Sequence, residues 1–184
     1  STYTYTTKFR RGDASLAPLM KVGILNITGY AGLELARILT RHREVDLVVA
    51  TGRSEAGKPL GDVFPHLGSL GLTIQEEITE NVDLVFSALP HQASAEVCVP
   101  LLDRGVRVID ISADFRLRSQ DEYELWYGVK HPSPERLNQA IYGLPEIYRS
   151  QISSGTLIAN PGCYPTSIIL GLVPALKAGI IDPE

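Results

Sequence analysis

Four short apolar runs pace the first part of the chain: Lys21 to Ile27 (KVGILNI), Val45 to Thr51 (VDLVVAT), Val82 to Ala88 (VDLVFSA) and Val106 to Ile111. Each is too short for a buried helix and lacks polar alternation, which predicts strands buried on both faces. Between the first two, Thr28 to Gly32 (TGYAG) is a turn, and Leu33 to Thr40 carries Leu35, Ile38 and Leu39 at helical spacing. This strand–turn–helix–strand unit has the size of a βαβ crossover. His91 to Arg104 predicts a second helix, with Ala95, Cys98, Val99 and Leu102 on its apolar side, a possible kink at Pro100 and a stop at Gly105. Alternating strands and helices of this kind predict an α/β fold with a doubly wound, mostly parallel sheet.

The pattern is weaker elsewhere. Gly52 to Gly71 reads as a loop, and Leu72 to Gln75 as a short strand. Ser119 with Glu122 resembles a capping box opening a short helix. Pro132, Pro134 and Pro145 then punctuate a long connection. Thr156 to Ala159 predicts a strand and Asn160-Pro161-Gly162 a turn. Tyr164 to Ala178 predicts a helix with Ile168, Ile169, Leu172, Val173 and Leu176 on its apolar face, ended by Gly179. The first nineteen residues, STYTYTTKFRRGDASLAPL, show no such periodicity and no apolar signal-peptide core. They are expected to be a disordered leader or tag, and Met20, the only methionine, is a candidate start.

Composition narrows the class. A net charge of -4 argues against a nucleic-acid or anionic-membrane partner. No apolar run approaches membrane-span length. Two cysteines, Cys98 and Cys163, make no disulfide framework, which suits a reducing cytoplasmic setting. No metal-ligand spacing stands out.

The turn after the first strand is a candidate phosphate loop. Gly29 and Gly32 fit the last two glycines of a G-x-x-G-x-x-G pattern, with Asn26 in the first place. Asn tolerates left-handed backbone better than other non-glycine residues. The helix that follows would offer its N-terminus to a pyrophosphate; a plain βα turn is the alternative. The second strand ends in Thr51-Gly52-Arg53-Ser54, without the acid that usually holds the ribose 2′-hydroxyl of NAD. Arg53 and Ser54 suit a 2′-phosphate, so NADP is the expected cofactor; a solvated Arg53 is the alternative. Cys163 follows Asn-Pro-Gly and opens a helix, where unpaired N–H groups favour an anion and so a thiolate nucleophile. It could equally be a buried thiol, the natural reading of Cys98 in AEVCVPLL.

Seven stretches in order give the chain a family resemblance. They are TGYAG (from Thr28), RSEAGK (from Arg53), VFPHL (from Val63), ALPH (from Ala88), VIDISADFRL (from Val108), YGLPE (from Tyr142) and NPGCYPT (from Asn160). Over Lys21 to Glu184 the chain resembles the N-terminal portion of N-acetyl-gamma-glutamyl-phosphate reductases. The resemblance implies NADPH-dependent reduction of an acyl phosphate to a semialdehyde in arginine biosynthesis, through a thioester on Cys163. It implies cofactor contacts from Asn26, Thr28, Gly29, Tyr30, Gly32, Arg53, Ser54, Ser87 and Pro90. Arg116 resembles an arginine that grips the substrate phosphate in related semialdehyde dehydrogenases; an ion pair with Asp114 or Asp110 is the alternative. His91 is read as a helix-opening residue. The implied organisation is a leader over 1–19, an NADP-binding Rossmann domain over 20–156, and a segment over 157–184 that opens an α+β substrate domain. Such a domain would carry the general-base histidine and the contacts of a homo-oligomer, because His42, His66, His91 and His131 all precede Cys163. A lysine-pathway aminoadipyl-phosphate reductase, aspartate-semialdehyde dehydrogenase and a non-catalytic NADP-sensing module are the competing readings.

Overall fold

The computed structural model describes residues 18–182; the predicted leader lies almost wholly outside them. Six strands make one sheet: β1 (Met20–Leu25), β2 (Val45–Ala50), β3 (Leu84–Ser87), β4 (Arg107–Asp110), β5 (Ile141–Tyr142) and β6 (Leu157–Ala159). Their order is β2-β1-β3-β4-β6-β5 and every pairing is parallel. Among the described residues there are six helices: α1 (Tyr30–Leu39), α2 (Leu60–Val63), α3 (Ser94–Asp103), α4 (Gln120–Tyr127) and α5 (Pro145–Ser154) link successive strands, and α6 (Cys163–Lys177) follows β6.

The apolar runs are continuous because the sheet is covered twice. On one face Val22, Ile24, Leu47, Ala50 and Leu84 pack with Ala36 and Leu39 of α1 and with Leu60, Leu67 and Ile74. On the other, Leu25, Val49, Val85 and Val108 pack with Ala95, Cys98 and Leu101 of α3 and with Phe115. Gly23 is required on this second face. A Cβ there would lie 2.9 Å from Ile78 Cδ1 and 3.0 Å from Val49 Cγ1.

Several elements differ from expectation, each for a local reason. The loop over Gly52 to Gly71 holds α2 and two 3-10 turns, Arg53–Glu55 and Pro65–Leu70, with Leu60 and Leu67 buried. Leu72 to Gln75 makes only isolated bridges, Thr51 to Gln75 and Pro59 to Thr73, rather than a strand. The second predicted helix starts three residues late, because Gln92 takes a left-handed φ of 71°, and α3 then runs through Pro100 to Asp103. Ser119 does cap α4, its hydroxyl accepting from the Glu122 amide. Pro145 opens α5 instead of breaking the chain, since a first-turn proline loses no hydrogen bond. Strand β6, which opens the segment expected over 157–184, lies between β4 and β5 in the sheet. The apolar face predicted for α6 is present in sequence, yet no residue of α6 is buried; Ile168 is 58% exposed and Leu172 47%.

Candidate functional site

Strand order reverses between β1 and β3, and a cleft of about 880 Å³ opens at the C-terminal ends of β1, β2 and β3. Such switch points are where ligands bind in open α/β sheets. Asn26 closes the turn between β1 and α1 with φ 64°, the left-handed conformation that favours Asn or Gly. Its Nδ2 donates to Ala88 O (2.9 Å) across the switch point, and its amide donates to Thr51 Oγ1 (3.3 Å). Thr28 Oγ1 donates to Asn26 Oδ1 (3.3 Å). The glycines then serve close approach rather than positive φ. A Cβ on Gly32 would lie 2.2 Å from Asn26 O, and one on Gly52 2.8 Å from Thr28 Cγ2. The N-terminus of α1 takes no side-chain cap, which leaves its amides for an anion.

Asn26, Thr28, Arg53, Ser54 and Pro90 all line the cleft, together with Thr51, Glu76, Glu77, Leu89, Ala93 and Arg104, which sequence reasoning missed. Gly29 and Gly32 form the turn behind it. Tyr30 is 97% exposed at the start of α1. Ser87 is not among the residues that line the cleft: its side chain is fully buried, with Oγ 2.7 Å from Ser94 Oγ of α3. His91 is exposed before α3, its ring tilted at 45° against that of Tyr127 with centroids 5.7 Å apart.

A second group gathers at the C-terminal ends of β4, β6 and β5. Arg116 donates from Nε to Asn160 O (2.8 Å) and from Nη2 to Ile111 O (2.8 Å). It makes no ion pair with Asp110 or Asp114, whose oxygens are taken by other donors. Its Nη1 would lie 3.1 Å from a Cβ on Gly162, directly before Cys163, and takes no acceptor among the described residues. Tyr142 stands nearby: burial raises its phenol, and the Arg116 charge opposes that shift. Cys163 is exposed as the first residue of α6, with Pro165 in the first turn. Cys98 is its opposite, fully buried, with burial and then the Asp110 charge pushing its thiol up to about 12.

A buried polar chain joins the two groups. Asp110 and Asp114 are both fully buried. Ser94 Oγ donates to Asp110 Oδ1 (2.6 Å), and Ser112 Oγ donates to Asp110 Oδ2 (2.7 Å). Burial holds the Asp110 carboxyl above its ordinary range against these donors. Two carboxylates in VIDISADF were the available signal, but their partners are distant in sequence. Among the described residues no cluster of His, Cys, Asp or Glu is set out as a metal site, and no helix is long and apolar enough to cross a membrane.

A family model described as the NAD-binding domain of semialdehyde dehydrogenase matches residues 21–155. An N-acetyl-gamma-glutamyl-phosphate reductase of Dehalococcoides mccartyi is 58% identical over 164 residues, covering 89% of this chain and 48% of that protein. Its counterpart in Rhodopirellula baltica is 48% identical over 170 residues, 90% of this chain and 49% of that protein. The chain thus spans about half the length of the curated relatives it matches. A solved aspartate semialdehyde dehydrogenase from Candida albicans, crystallised with NADP, superposes with a TM-score of 0.60 at 18% identity, over 87% of this chain and 47% of that one. At that identity the likeness is one of fold.

Proposed function

Since the chain belongs to the semialdehyde dehydrogenase NAD-binding family, we propose that it is the cofactor-binding and cysteine-bearing part of an NADPH-dependent N-acetyl-gamma-glutamyl-phosphate reductase. The observation that carries this reading is the pairing of a switch-point cleft with an exposed helix-opening Cys163 beside Arg116.

The cleft suits NADP. A side chain on Gly32 or Gly52 would fill the turn, and the uncapped α1 amides face the space a pyrophosphate would take. Asn26, Thr28 and the backbone of Gly29 and Tyr30 would hold the phosphates. Arg53 and Ser54 would take the 2′-phosphate, and Pro90 would bound the nicotinamide end. Bound there, NADPH supplies a hydride. The protein's own part lies elsewhere. Nη1 of Arg116 grips the phosphate of the acyl phosphate while its other nitrogens brace the Asn160 to Cys163 turn. The Cys163 thiolate attacks the acyl carbon, the carbon–oxygen bond to phosphate breaks, and a thioester remains on Sγ. Holding the acyl group on Sγ fixes its carbonyl for reduction.

The chain alone is proposed to bind NADP without sustained turnover, because the family resemblance implies a general-base histidine in the substrate domain rather than in this part. The complete enzyme is proposed to be a cytoplasmic homo-oligomer acting on a small acyl phosphate, without nucleic-acid or membrane partners. The test is phosphate-dependent NADP reduction by the longest polypeptide that carries this chain. N-acetylglutamate semialdehyde and carrier-linked aminoadipate semialdehyde would be compared, with Cys163→Ser as control. Preference for the first and a dead mutant support the proposal; preference for the second moves the reaction to the lysine pathway. Undiminished turnover by Cys163→Ser would overturn the thioester.

A further inference from the structure

The carboxylate of Asp114 takes no part in the chemistry above, lines no part of the cleft and is fully buried. Its Oδ1 accepts from the Gln92 amide (2.7 Å) and from the Tyr123 hydroxyl (2.8 Å). Its Oδ2 accepts from the Ala95 amide (2.9 Å). Ala93, the residue before α3, cannot cap that helix with its own side chain. Asp114 supplies the missing acceptor from the loop that follows β4, and it holds Gln92 in its left-handed φ of 71°. The two amide donors belong to the segment that forms one wall of the cleft through Leu89, Pro90 and Ala93, and the hydroxyl donor belongs to α4. Two residues after Asp114 stands Arg116, anchored to Asn160 and Ile111 beside Cys163. The Asp114 amide is tied in turn to Ser112 Oγ (3.1 Å), which donates to Asp110 at the end of β4.

We infer that Asp114 is a positioning residue that fixes the cofactor-side wall, Leu89 to Ala93, relative to Arg116 and the Cys163 turn. It does so without touching either ligand. Its three donors come from two elements, so losing one acceptor oxygen frees the wall and the Arg116 loop to shift against each other. The inference rests on the functional reading above.

The test uses Asp114→Asn, in which an amide NH2 must face at least one of these N–H or O–H donors. NADP affinity is measured on this chain, and the KM for phosphate on the longest polypeptide that carries it. Both constants are expected to weaken by about tenfold, the scale of one lost hydrogen bond to a charged acceptor. They are read in the fraction that remains folded. A merely structural role would lower Tm and leave both constants alone. Tyr123→Phe removes one donor and keeps the ring contacts with Tyr127 and His131, so it serves if Asp114→Asn does not fold. Its shifts should run the same way and be smaller. Both constants staying within about twofold of wild type in a folded variant would overturn the inference. A wild-type protein that neither binds NADP nor reduces it would instead remove the functional reading, and this inference with it.

Discussion

Residues that look alike in sequence separate sharply by their surroundings. Cys98 and Cys163 are both followed closely by a proline, yet one is sealed between α3 and the sheet and the other opens α6 in solvent. A disulfide reagent should therefore label one thiol in the native chain and a second only on unfolding. Cys163→Ser should abolish the fast phase; two fast thiols would contradict the burial of Cys98. Asn26 combines a left-handed φ with a bridge to Ala88. Asn26→Ala loses both and should cost about 1–3 kcal/mol in denaturant unfolding. Asn26→Gly loses only the bridge and should cost less. His131 is buried between Phe115 and Tyr123, its Nδ1 accepting from the Ser133 amide (3.0 Å). Burial lowers its pKa below the ordinary 6.5. The unfolded chain thus takes a proton more readily, so His131 contributes stability above that value and loses it as pH falls through its folded pKa. Asp110, held above 3.8 by burial, works the other way, losing stability as pH rises through its folded value. A Tm profile should therefore descend on the acid side of 6.5 in wild type and flatten there in His131→Asn. An unchanged profile would place that descent on other groups.

Elements differ in how plainly they were written. Strands β1 to β4 were legible because burial on both faces leaves an unbroken apolar run. The helix α1 was legible because only one side of it is covered. Strand β5 has two residues, too few for any period, and α5 hid behind a proline that opens it. The cofactor cleft was legible because its residues follow strand ends in sequence. Asp114 was not, since its amide donors lie 22 and 19 residues away and only the folded sheet brings them near. Helix α6 was placed to within a residue at each end, but the side expected to be its buried apolar face stays open among the described residues. Changing Ile168 or Leu172 to Lys in this chain should therefore alter stability by no more than about 0.5 kcal/mol. Leu101→Ala in the α3 core should cost about 2–5 kcal/mol. Comparable losses at both helices, measured by urea unfolding, would mean that α6 is covered after all.

At the scale of the molecule, one sheet carries both halves of the proposed chemistry. The cleft lies on β1, β2 and β3, and the cysteine turn leaves β6 two strands further along. A rigid sheet of this kind sets their separation without help from a flexible hinge. The sheet is also out of sequence order at its far edge, because β6 pairs on one side with β4 and on the other with β5. During synthesis the chain leaves the ribosome from its N-terminus, so Ile141 and Tyr142 emerge before β6, their one partner strand among the described residues. Until Leu157 to Ala159 follow, β4 has an open edge, and the backbone of β5 has no ladder to join. Vectorial folding can thus complete β1 to β4, and with them the cofactor cleft, early. Strands β5 and β6 then dock together, and the turn that carries Cys163 is set only when β6 joins the sheet.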